Sequence, residues 1–260
     1  MTIVIPYLIV LIFGLVIGSF LNVCIHRLPR GESIVWPSSH CPACGTKIAA
    51  YDNLPLLSIM LLRGRCRSCQ ARISLRYPTV ELLNGVGYVV MFWQFGFQWP
   101  AAIYSILFSA LLVVTFIDLE HQIVPDLITL PGIPLGILCA STVLPVGLLD
   151  SVLGVLLGGG ILWFLAWISP YLFGKEGMGG GDIKLLAMIG AFLGWRPTLL
   201  AMMLAALVGS VVGVGLIASK VMRRDQHIPF GPFLALGALV ALFFHRELID
   251  WYFGMVGPGR

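Results

Sequence analysis

The chain has 260 residues, of which 58% are hydrophobic and 11% are charged, and its mean hydropathy is +0.96. Soluble domains carry about a quarter charged residues, so this composition excludes an ordinary soluble enzyme and indicates an integral membrane protein. The net charge is +4, from 16 Lys and Arg against 12 Asp and Glu. We therefore predict an all-α polytopic membrane protein.

The first apolar run, residues 3–25, has no basic residue before it and is followed by Arg27 and Arg30. A cleaved signal peptide carries its charges in front of the apolar run. Positive charge behind the run indicates an N-terminus outside and a following loop in the cytoplasm. We assign residues 1–25 to the first transmembrane helix.

Further apolar segments bring the prediction to about eight transmembrane helices. They are residues 79–98, 100–117, 127–145, 151–170, 183–195, 197–219 and 230–253. If the spans alternate from an outside N-terminus, 13 of the 16 Lys and Arg residues are cytoplasmic, and only Arg196, Arg246 and Arg260 lie outside. This bias supports the predicted orientation.

The segment 26–78 is polar and contains two CxxC pairs, Cys41 with Cys44 and Cys66 with Cys69, with 21 residues between the pairs. That spacing is typical of a tetrahedral four-cysteine zinc site, in which each pair forms one tight knuckle. Two disulfides or unligated thiols are the alternative, but a cytoplasmic compartment keeps thiols reduced. A closed four-thiolate site has no open position for substrate, so we predict a small cytoplasmic zinc-ribbon-like domain with structural zinc.

The same segment holds eight of the 16 basic residues. Such a cluster is found in nucleic-acid-binding proteins, but beside a membrane it is better explained by cytoplasmic retention and contact with anionic lipid. We predict the lipid bilayer as a partner and no nucleic acid.

Two acidic residues adjoin apolar runs: Asp118 ends the run 101–117, and Asp182 opens the run that continues to Gly194. An ionisable residue in or beside a membrane segment is a functional candidate, because it is expensive to keep there. In the alternating topology both residues face the cytoplasmic side, where they are able to meet. The local alternatives are a helix N-cap for Asp182 and an interfacial position for Asp118.

The span 183–195 has 13 residues, or about 20 Å of helix, against a hydrocarbon core of about 30 Å. We therefore expect Asp182 to lie below the inner membrane surface. The preceding Gly179, Gly180 and Gly181 are predicted to be irregular backbone that lets a substrate approach. The span also carries small residues at i, i+3, i+4 and i+7, which indicate close helix packing. They are Ala187, Gly190, Ala191 and Gly194.

Two neighbouring carboxylates cannot both ionise easily, so such a pair shares a proton. The ionised member is able to activate water as a general base, while the protonated member hydrogen-bonds the scissile carbonyl and later protonates the leaving amine. From the residues alone, Asp118 and Asp182 are candidates for hydrolysis of a peptide bond without a metal or a covalent intermediate.

The run 179–187 resembles the GxGD motif of the type IV prepilin peptidases, an element shared with presenilin-like intramembrane aspartyl proteases. Other segments resemble the family in the same order along essentially the whole chain. They are Gly18-Ser19-Phe20-Leu21-Asn22-Val23, Arg27-Leu28-Pro29, the two CxxC pairs, Arg76-Tyr77-Pro78 with Glu81-Leu82, Ile117-Asp118 with Pro125-Asp126, and Pro229-Phe230-Gly231-Pro232.

The resemblance implies that Asp118 and Asp182 are the catalytic aspartates of a membrane aspartyl peptidase domain at 79–260. It implies prepilin or pseudopilin substrates, cut after a glycine on the cytoplasmic side of the bacterial inner membrane. It also implies N-methylation of the new N-terminal residue with S-adenosylmethionine as methyl donor. The sequence does not indicate the oligomeric state.

The methylation rests on the complete tetracysteine loop, which resembles that of bifunctional family members and is absent from shorter preflagellin peptidases. Residues that bind the methyl donor are not assigned, and Asp52, Asn53 and Glu81 are merely polar candidates. The alternatives are a peptidase without methyltransferase activity, a transporter that uses intramembrane acids, and a zinc-ribbon membrane adaptor.

Overall fold

The computed structural model describes residues 4–173, 179–221 and 228–256. These residues form nine α-helices and two short 3₁₀ helices, so the predicted all-α architecture is confirmed for the described part of the chain. The chain divides into two compact units, Met1–Ile117 and Asp118–Arg260. We call them the first and the second unit and describe each by itself.

The nine α-helices of the described residues, in chain order, are α1 (Val4–Arg27), α2 (Leu57–Leu61), α3 (Arg76–Phe95), α4 (Trp99–His121), α5 (Asp126–Thr142), α6 (Leu148–Phe173), α7 (Gly180–Leu193), α8 (Trp195–Ala218) and α9 (Gly231–Val256). The 3₁₀ helices are Leu28–Arg30 and Ala50–Asn53. The division between the units falls within α4, so that Asp118 belongs to the second unit.

A helix lies at each of the predicted apolar segments, but five of the described helices are long and apolar enough to cross a membrane. Those spans are Val4–Arg30, Trp99–His121, Leu148–Tyr171, Trp195–Ala218 and Gly231–Tyr252. Helix α5 is a shorter apolar helix, and α7 has only 14 residues. The chain is a multi-pass membrane protein, while the number eight is not confirmed.

Several predicted helix boundaries are wrong by three or four residues, and those of α3 and α7 have a clear physical reason. Helix α3 begins at Arg76 instead of residue 79 and ends at Phe95 instead of residue 98, because Gly96 (φ +69°) takes a left-handed conformation that ends the helix. Helix α7 begins at Gly180 instead of residue 183, so Gly180 and Gly181 are helical and not irregular. Packing against neighbouring segments of the same protein overrides the low helix propensity of glycine here.

In the first unit, α1 and α3 approach closely at glycines. A Cβ added to Gly18 would lie 2.7 Å from the Cα of Glu81, and one added to Gly14 would lie 2.9 Å from the Cα of Gly85. The buried Asn84 of α3 donates to the carbonyl of Gly14 at 2.7 Å. Small residues therefore bring the two backbones together, and a side-chain amide satisfies a carbonyl at their contact.

In the second unit, α7 is the central helix, since all residues from Leu185 to Leu193 are buried. Gly190 lies against Gly154 of α6 so closely that a Cβ on either would overlap the other's carbonyl oxygen. A Cβ on Gly136 of α5 would lie 2.7 Å from the Cβ of Ala191. The predicted small-residue face of this helix is thus confirmed as a close packing surface.

The polar segment between α1 and α3 contains two isolated antiparallel bridges, His40 with Lys47 and Arg65 with Arg72. Neither bridge extends into a strand in the described residues. The predicted zinc ribbon is therefore not confirmed as a β-sheet, although each bridge closes a short hairpin around one CxxC pair.

Candidate functional site

Asp118 lies near the C-terminal end of α4, where its side chain is buried with 5% of the residue exposed. Its Oδ2 atom accepts a hydrogen bond from the backbone N–H of Gly231, at 2.9 Å. Gly231 is the first residue of α9, so the donor belongs to a helix N-terminus, which favours negative charge. The second unit therefore fixes one oxygen of Asp118 with a backbone group.

The absence of a side chain at Gly231 makes this contact possible. A Cβ at that position would lie 2.7 Å from Oδ2 of Asp118 and 3.3 Å from its Cγ. Contacts so short require the carboxylate to shift, because real Cβ atoms do not approach oxygen so closely. Glycine is required here for close approach and not for an unusual backbone angle.

Asp182 is the third residue of α7 and is half-buried. It lies close enough to Asp118 for the two carboxylates to interact electrostatically. The structure therefore brings together the two acids that the sequence singled out, across 64 residues of chain. The N-cap alternative for Asp182 is wrong, because Gly179 occupies the N-cap position and Asp182 lies within the first turn.

The glycines before Asp182 have three different environments. Gly179 is extended (φ −73°, ψ 140°), and its carbonyl accepts the Asp182 N–H at 3.2 Å. Gly180 has open space where a Cβ would lie, whereas a Cβ on Gly181 would be 2.8 Å from the Cβ of Val124. The predicted irregular approach is thus limited to Gly179, and the preceding Gly177 and Met178 lie outside the described residues.

Lys184 follows Asp182 by two residues and forms an ion pair with Asp126 at the start of α5. Residues two apart on a helix point to different sides, which is why the sequence predicts a poor ion pair between Lys184 and Asp182. Asp126 lies in the first turn of α5, after the N-cap Pro125. The pair joins α5 to α7 beside the two aspartates.

The four cysteines Cys41, Cys44, Cys66 and Cys69 come together in the first unit, with their sulfur atoms within 4.8 Å of one another. All are free thiols, and the Sγ atoms of Cys41 and Cys69 are 3.8 Å apart. Four sulfurs at about 2.3 Å from a tetrahedral zinc would be about 3.8 Å from one another. The donor set and its spacing therefore fit a zinc ion.

The two CxxC pairs have matching backbones. The N–H of Cys41 donates to the carbonyl of Thr46, and the N–H of Cys66 donates to the carbonyl of Ala71, each at 2.9 Å. In each pair a second bond returns to the first cysteine's carbonyl, from Gly45 at 2.8 Å and from Gln70 at 3.0 Å. Each pair is therefore a self-contained knuckle that its own backbone bonds organise.

The crowded thiols differ in acidity. Hydrogen bonding with the side chain and backbone of Thr46 lowers the pKa of Cys44 to about 6. Ala71 lowers the pKa of Cys69 through a backbone hydrogen bond, but its contacts with Cys44, Cys66 and Cys41, together with desolvation, outweigh this and raise that pKa to about 11. Metal binding to such a set releases protons, because thiolates are the ligands.

Two of the polar candidates in this unit have partners. Asp52 accepts two hydrogen bonds from Arg67, at 2.8 Å and 2.6 Å, and this pairing lowers the pKa of the Asp52 carboxyl. Glu81 is buried and accepts the N–H of Leu56 at 2.9 Å. The third candidate, Asn53, is exposed. Arg67 therefore links the second knuckle to the 3₁₀ helix that carries Asp52.

The first unit also contains a cavity of about 440 Å³, which we call the first-unit cavity. Its wall combines the end of α1, the start of α3 and the tetracysteine segment, and the three polar candidates all line it. The sequence did not predict this cavity, since its wall comes from three separated parts of the chain. It also did not single out Gly231, whose contribution is a backbone N–H without a side-chain signal.

Two family descriptions match the chain. The Bacterial Peptidase A24 N-terminal domain matches residues 12–95, which include α1, the four cysteines and most of α3. The Type IV leader peptidase family matches residues 105–214, which include both aspartates. No solved structure matches the chain.

Several curated proteins are similar to the chain over nearly its whole length. A prepilin leader peptidase/N-methyltransferase of Stutzerimonas stutzeri is 40% identical over 267 residues, covering 93% of this chain and 92% of that protein. Proteins of the same name from Aeromonas salmonicida and Pseudomonas aeruginosa are 40% and 38% identical, covering 95% of this chain in each case and 94% and 93% of those proteins.

Proposed function

We infer the activity from one premise: the chain belongs to the type IV leader peptidase family. It is an aspartic peptidase that removes the leader peptide of type IV prepilins or pseudopilins, and it N-methylates the new N-terminus. The relatives that match it nearly end to end carry both activities in their name. A transporter or a zinc-ribbon adaptor is therefore not favoured.

The observation that carries the peptidase mechanism is the buried Asp118 beside Asp182. We assign the general base to Asp118, because the N–H of Gly231 at a helix N-terminus stabilises negative charge on it. Asp182 then holds the proton and hydrogen-bonds the scissile carbonyl oxygen. The substrate-approach role stays with Gly179, Gly180 and Gly181. Gly179 is extended and Gly180 adjoins open space, so these two leave room for a substrate backbone, while Gly181 packs against Val124.

In the cleavage step, Asp118 removes a proton from water while the water oxygen bonds to the scissile carbonyl carbon. Asp182 donates a hydrogen bond to the carbonyl oxygen as negative charge develops there. The leaving nitrogen then takes up a proton from the pair as the carbon–nitrogen bond breaks. The products are a leader with a free carboxylate and a mature protein with a free amine.

For methylation, bound S-adenosylmethionine would supply an electrophilic methyl group to the N-terminal amine, which would release one proton, and S-adenosylhomocysteine would be the second product. The protein must hold the amine deprotonated and oriented toward the methyl group. We assign this activity to the first unit, because it includes the tetracysteine segment.

We propose structural zinc at Cys41, Cys44, Cys66 and Cys69, supported by the sulfur spacing described above. All four ligands come from the protein, so the ion organises the segment and takes no part in either reaction.

We further propose eight membrane crossings, with residues 1–25, 26–78 and 79–260 as first transmembrane helix, zinc domain and peptidase domain. The N-terminus lies outside, while the zinc domain and the mouth of the active site are cytoplasmic. The excess of Lys and Arg in the predicted inside segments supports this orientation.

The test is to incubate the purified full chain with a prepilin and S-adenosylmethionine and to weigh the products by mass spectrometry. We expect a protein that has lost its leader and gained one methyl group, and without the methyl donor we expect cleavage alone. Intact prepilin after incubation with folded protein would contradict the peptidase. Cleavage without methylation in the presence of the donor would favour a peptidase without methyltransferase activity.

A further inference from the structure

The first-unit cavity has the size and composition of a small-molecule site. Its volume of about 440 Å³ falls within the range of about 300–1,000 Å³ that is typical of such sites. Ile59, Leu62 and Ile73 contribute apolar wall, while Asn22 and Glu81 contribute buried polar groups. Basic side chains also line the cavity, those of Arg27, Lys47, Arg67, Arg72 and Arg76. Apolar walls with a few fixed polar groups are the usual composition of a binding pocket.

Asn22 of α1 is the first polar group that indicates a ligand. It is 2% exposed, and its Nδ2 donates to the carbonyl oxygens of Tyr77 at 3.1 Å and Gly18 at 3.3 Å. Its Oδ1 is buried and has no hydrogen-bond partner among the residues that the structure describes. Buried acceptors are almost always paired in native proteins, because an unpaired one is costly. This oxygen therefore calls for a donor that the described part of the chain does not supply.

Glu81 of α3 is the second such group. It is 5% exposed, and its carboxylate accepts hydrogen bonds from the backbone N–H of Leu56 and from the hydroxyl of Ser19. Leu56 has φ +58°, a conformation that non-glycine residues rarely adopt and that surrounding contacts must enforce. The two hydrogen bonds hold a carboxylate at the wall of the cavity, where it offers negative charge to a cationic ligand.

We propose that the first-unit cavity binds S-adenosylmethionine, with Oδ1 of Asn22 accepting from an amino group of the ligand and Glu81 balancing its sulfonium charge. This inference rests on the proposed methyltransferase function. The ligand matches the cavity in three respects: its amino groups provide the missing donor, its sulfonium is positive, and its adenine suits the apolar wall. Asn22 and Glu81 are binding residues, while the methyl group itself is transferred between ligand and substrate.

The experiment measures equilibrium binding of S-adenosylmethionine and of S-adenosylhomocysteine to the purified full chain without prepilin. S-adenosylhomocysteine lacks the sulfonium charge, so the ratio of the two affinities reports on Glu81. We expect Asn22→Leu to weaken both ligands about tenfold or more, the cost of one lost hydrogen bond of this kind. Glu81→Gln keeps an acceptor for the N–H of Leu56 but removes the negative charge. We expect this variant to bind S-adenosylmethionine more weakly, to bind S-adenosylhomocysteine almost unchanged, and so to lower the ratio of the two affinities.

Two control variants are matched to these changes. Asn84→Leu removes another buried asparagine at the contact of α1 and α3, one that does not line the cavity, and Glu32→Gln removes an exposed acid. Both should bind the two ligands as the unchanged protein does. Unaltered affinities in both Asn22→Leu and Glu81→Gln, or an unaltered ratio in Glu81→Gln, would overturn the assignment.

This failure differs from a failure of the proposed function. If the unsubstituted protein neither cleaves nor methylates a prepilin, the proposed function itself is contradicted. A protein that methylates, but whose Asn22→Leu and Glu81→Gln variants bind the donor normally, keeps the function and places the donor elsewhere.

Discussion

The tetracysteine segment and the aspartate pair place their functional side chains in different ways. The cysteines lie on two short knuckles, and three of the four are wholly or partly exposed. The aspartates lie on helices, Asp118 on α4 and Asp182 in the first turn of α7, which is buried from Leu185 to Leu193. With the zinc that we propose, the mutual arrangement of the two knuckles should depend on the bound ion, whereas that of the aspartates depends on helix packing. Each region should therefore fail under a treatment that the other tolerates.

Metal removal should have the largest structural effect and should be confined to the first region. We expect about one zinc per purified chain, and Cys44→Ser or Cys69→Ser should reduce it to near zero, because a tetrahedral site needs all four ligands. Metal analysis gives the content, and hydrogen exchange should rise in residues 41–75 but not in α7. Cys139→Ser, a thiol outside the cluster, is the control and should keep the metal. The opposite result would be protein that is prepared under reducing conditions, contains no metal and still shows slow hydrogen exchange in the knuckles. That result would show that the segment needs no ion.

Removing either carboxylate should have the largest effect on catalysis. Asp118→Asn and Asp182→Asn should each lower the rate of leader cleavage by about 10³-fold or more, since general acid and base catalysis contribute about 10²–10⁴-fold each. Cleavage is followed by mass spectrometry of a prepilin, and zinc content should not change. Asp150→Asn, an exposed acid of α6 that accepts from the Trp195 indole, is the matched control. If either variant cleaves the prepilin at the full rate, the aspartate that was replaced takes no part in the mechanism.

A methyl group at Gly231 should disturb the pair without removing it. Gly231→Ala places a Cβ 2.7 Å from Oδ2 of Asp118, which is too close for a real contact, so the carboxylate must move. Displacement of a catalytic group by about 1 Å costs about 10²-fold in rate, and we expect a loss of this order in cleavage. Gly254→Ala on the same helix meets open space and should cleave normally. Equal rates in the two alanine variants would show that the Gly231 contact does not position Asp118.

The smallest predicted effect is a loss of stability. Gly190→Ala should cost about 1–3 kcal/mol of unfolding free energy, the usual cost of overpacking, because its Cβ would overlap the Gly154 carbonyl. Thermal unfolding of the purified protein measures this, with Gly160→Ala on α6 as the control in open space. Zinc content should remain that of the unchanged protein. If metal is lost in Gly190→Ala, the two regions are not independent.

The sequence was informative where the structure is local. Four cysteines in two CxxC pairs predict their own assembly, because each knuckle closes within six residues, as between Cys41 and Thr46. The aspartate pair was predictable from the membrane level of Asp118 and Asp182 together with the family motifs. The start of α7 was predicted wrongly because a glycine run indicates a loop, whereas Gly180 and Gly181 are helical and Gly181 lies so close to Val124 that it has no room for a Cβ.

Other features depend on distant contacts that leave no local signal. Gly231 donates to Asp118 across 113 residues, and the donor is a backbone group that every residue except proline has. Asn22 looks like an ordinary polar residue in an apolar run, and only the three-dimensional structure shows that its Oδ1 is buried without a partner. The apolar pattern of the sequence also does not decide whether α5 and α7 cross the membrane, because both helices are apolar but short.

The hydrogen bond from Gly231 has a further consequence for how the enzyme responds to its surroundings. A backbone amide does not gain or lose a proton between acid and alkaline conditions, and of the common substitutions only proline would delete it. This hydrogen-bond donor to Asp118 therefore keeps the same charge at every pH. A changed pH–rate profile in a Gly231 variant would consequently reflect a displaced carboxylate and not the loss of a titrating partner.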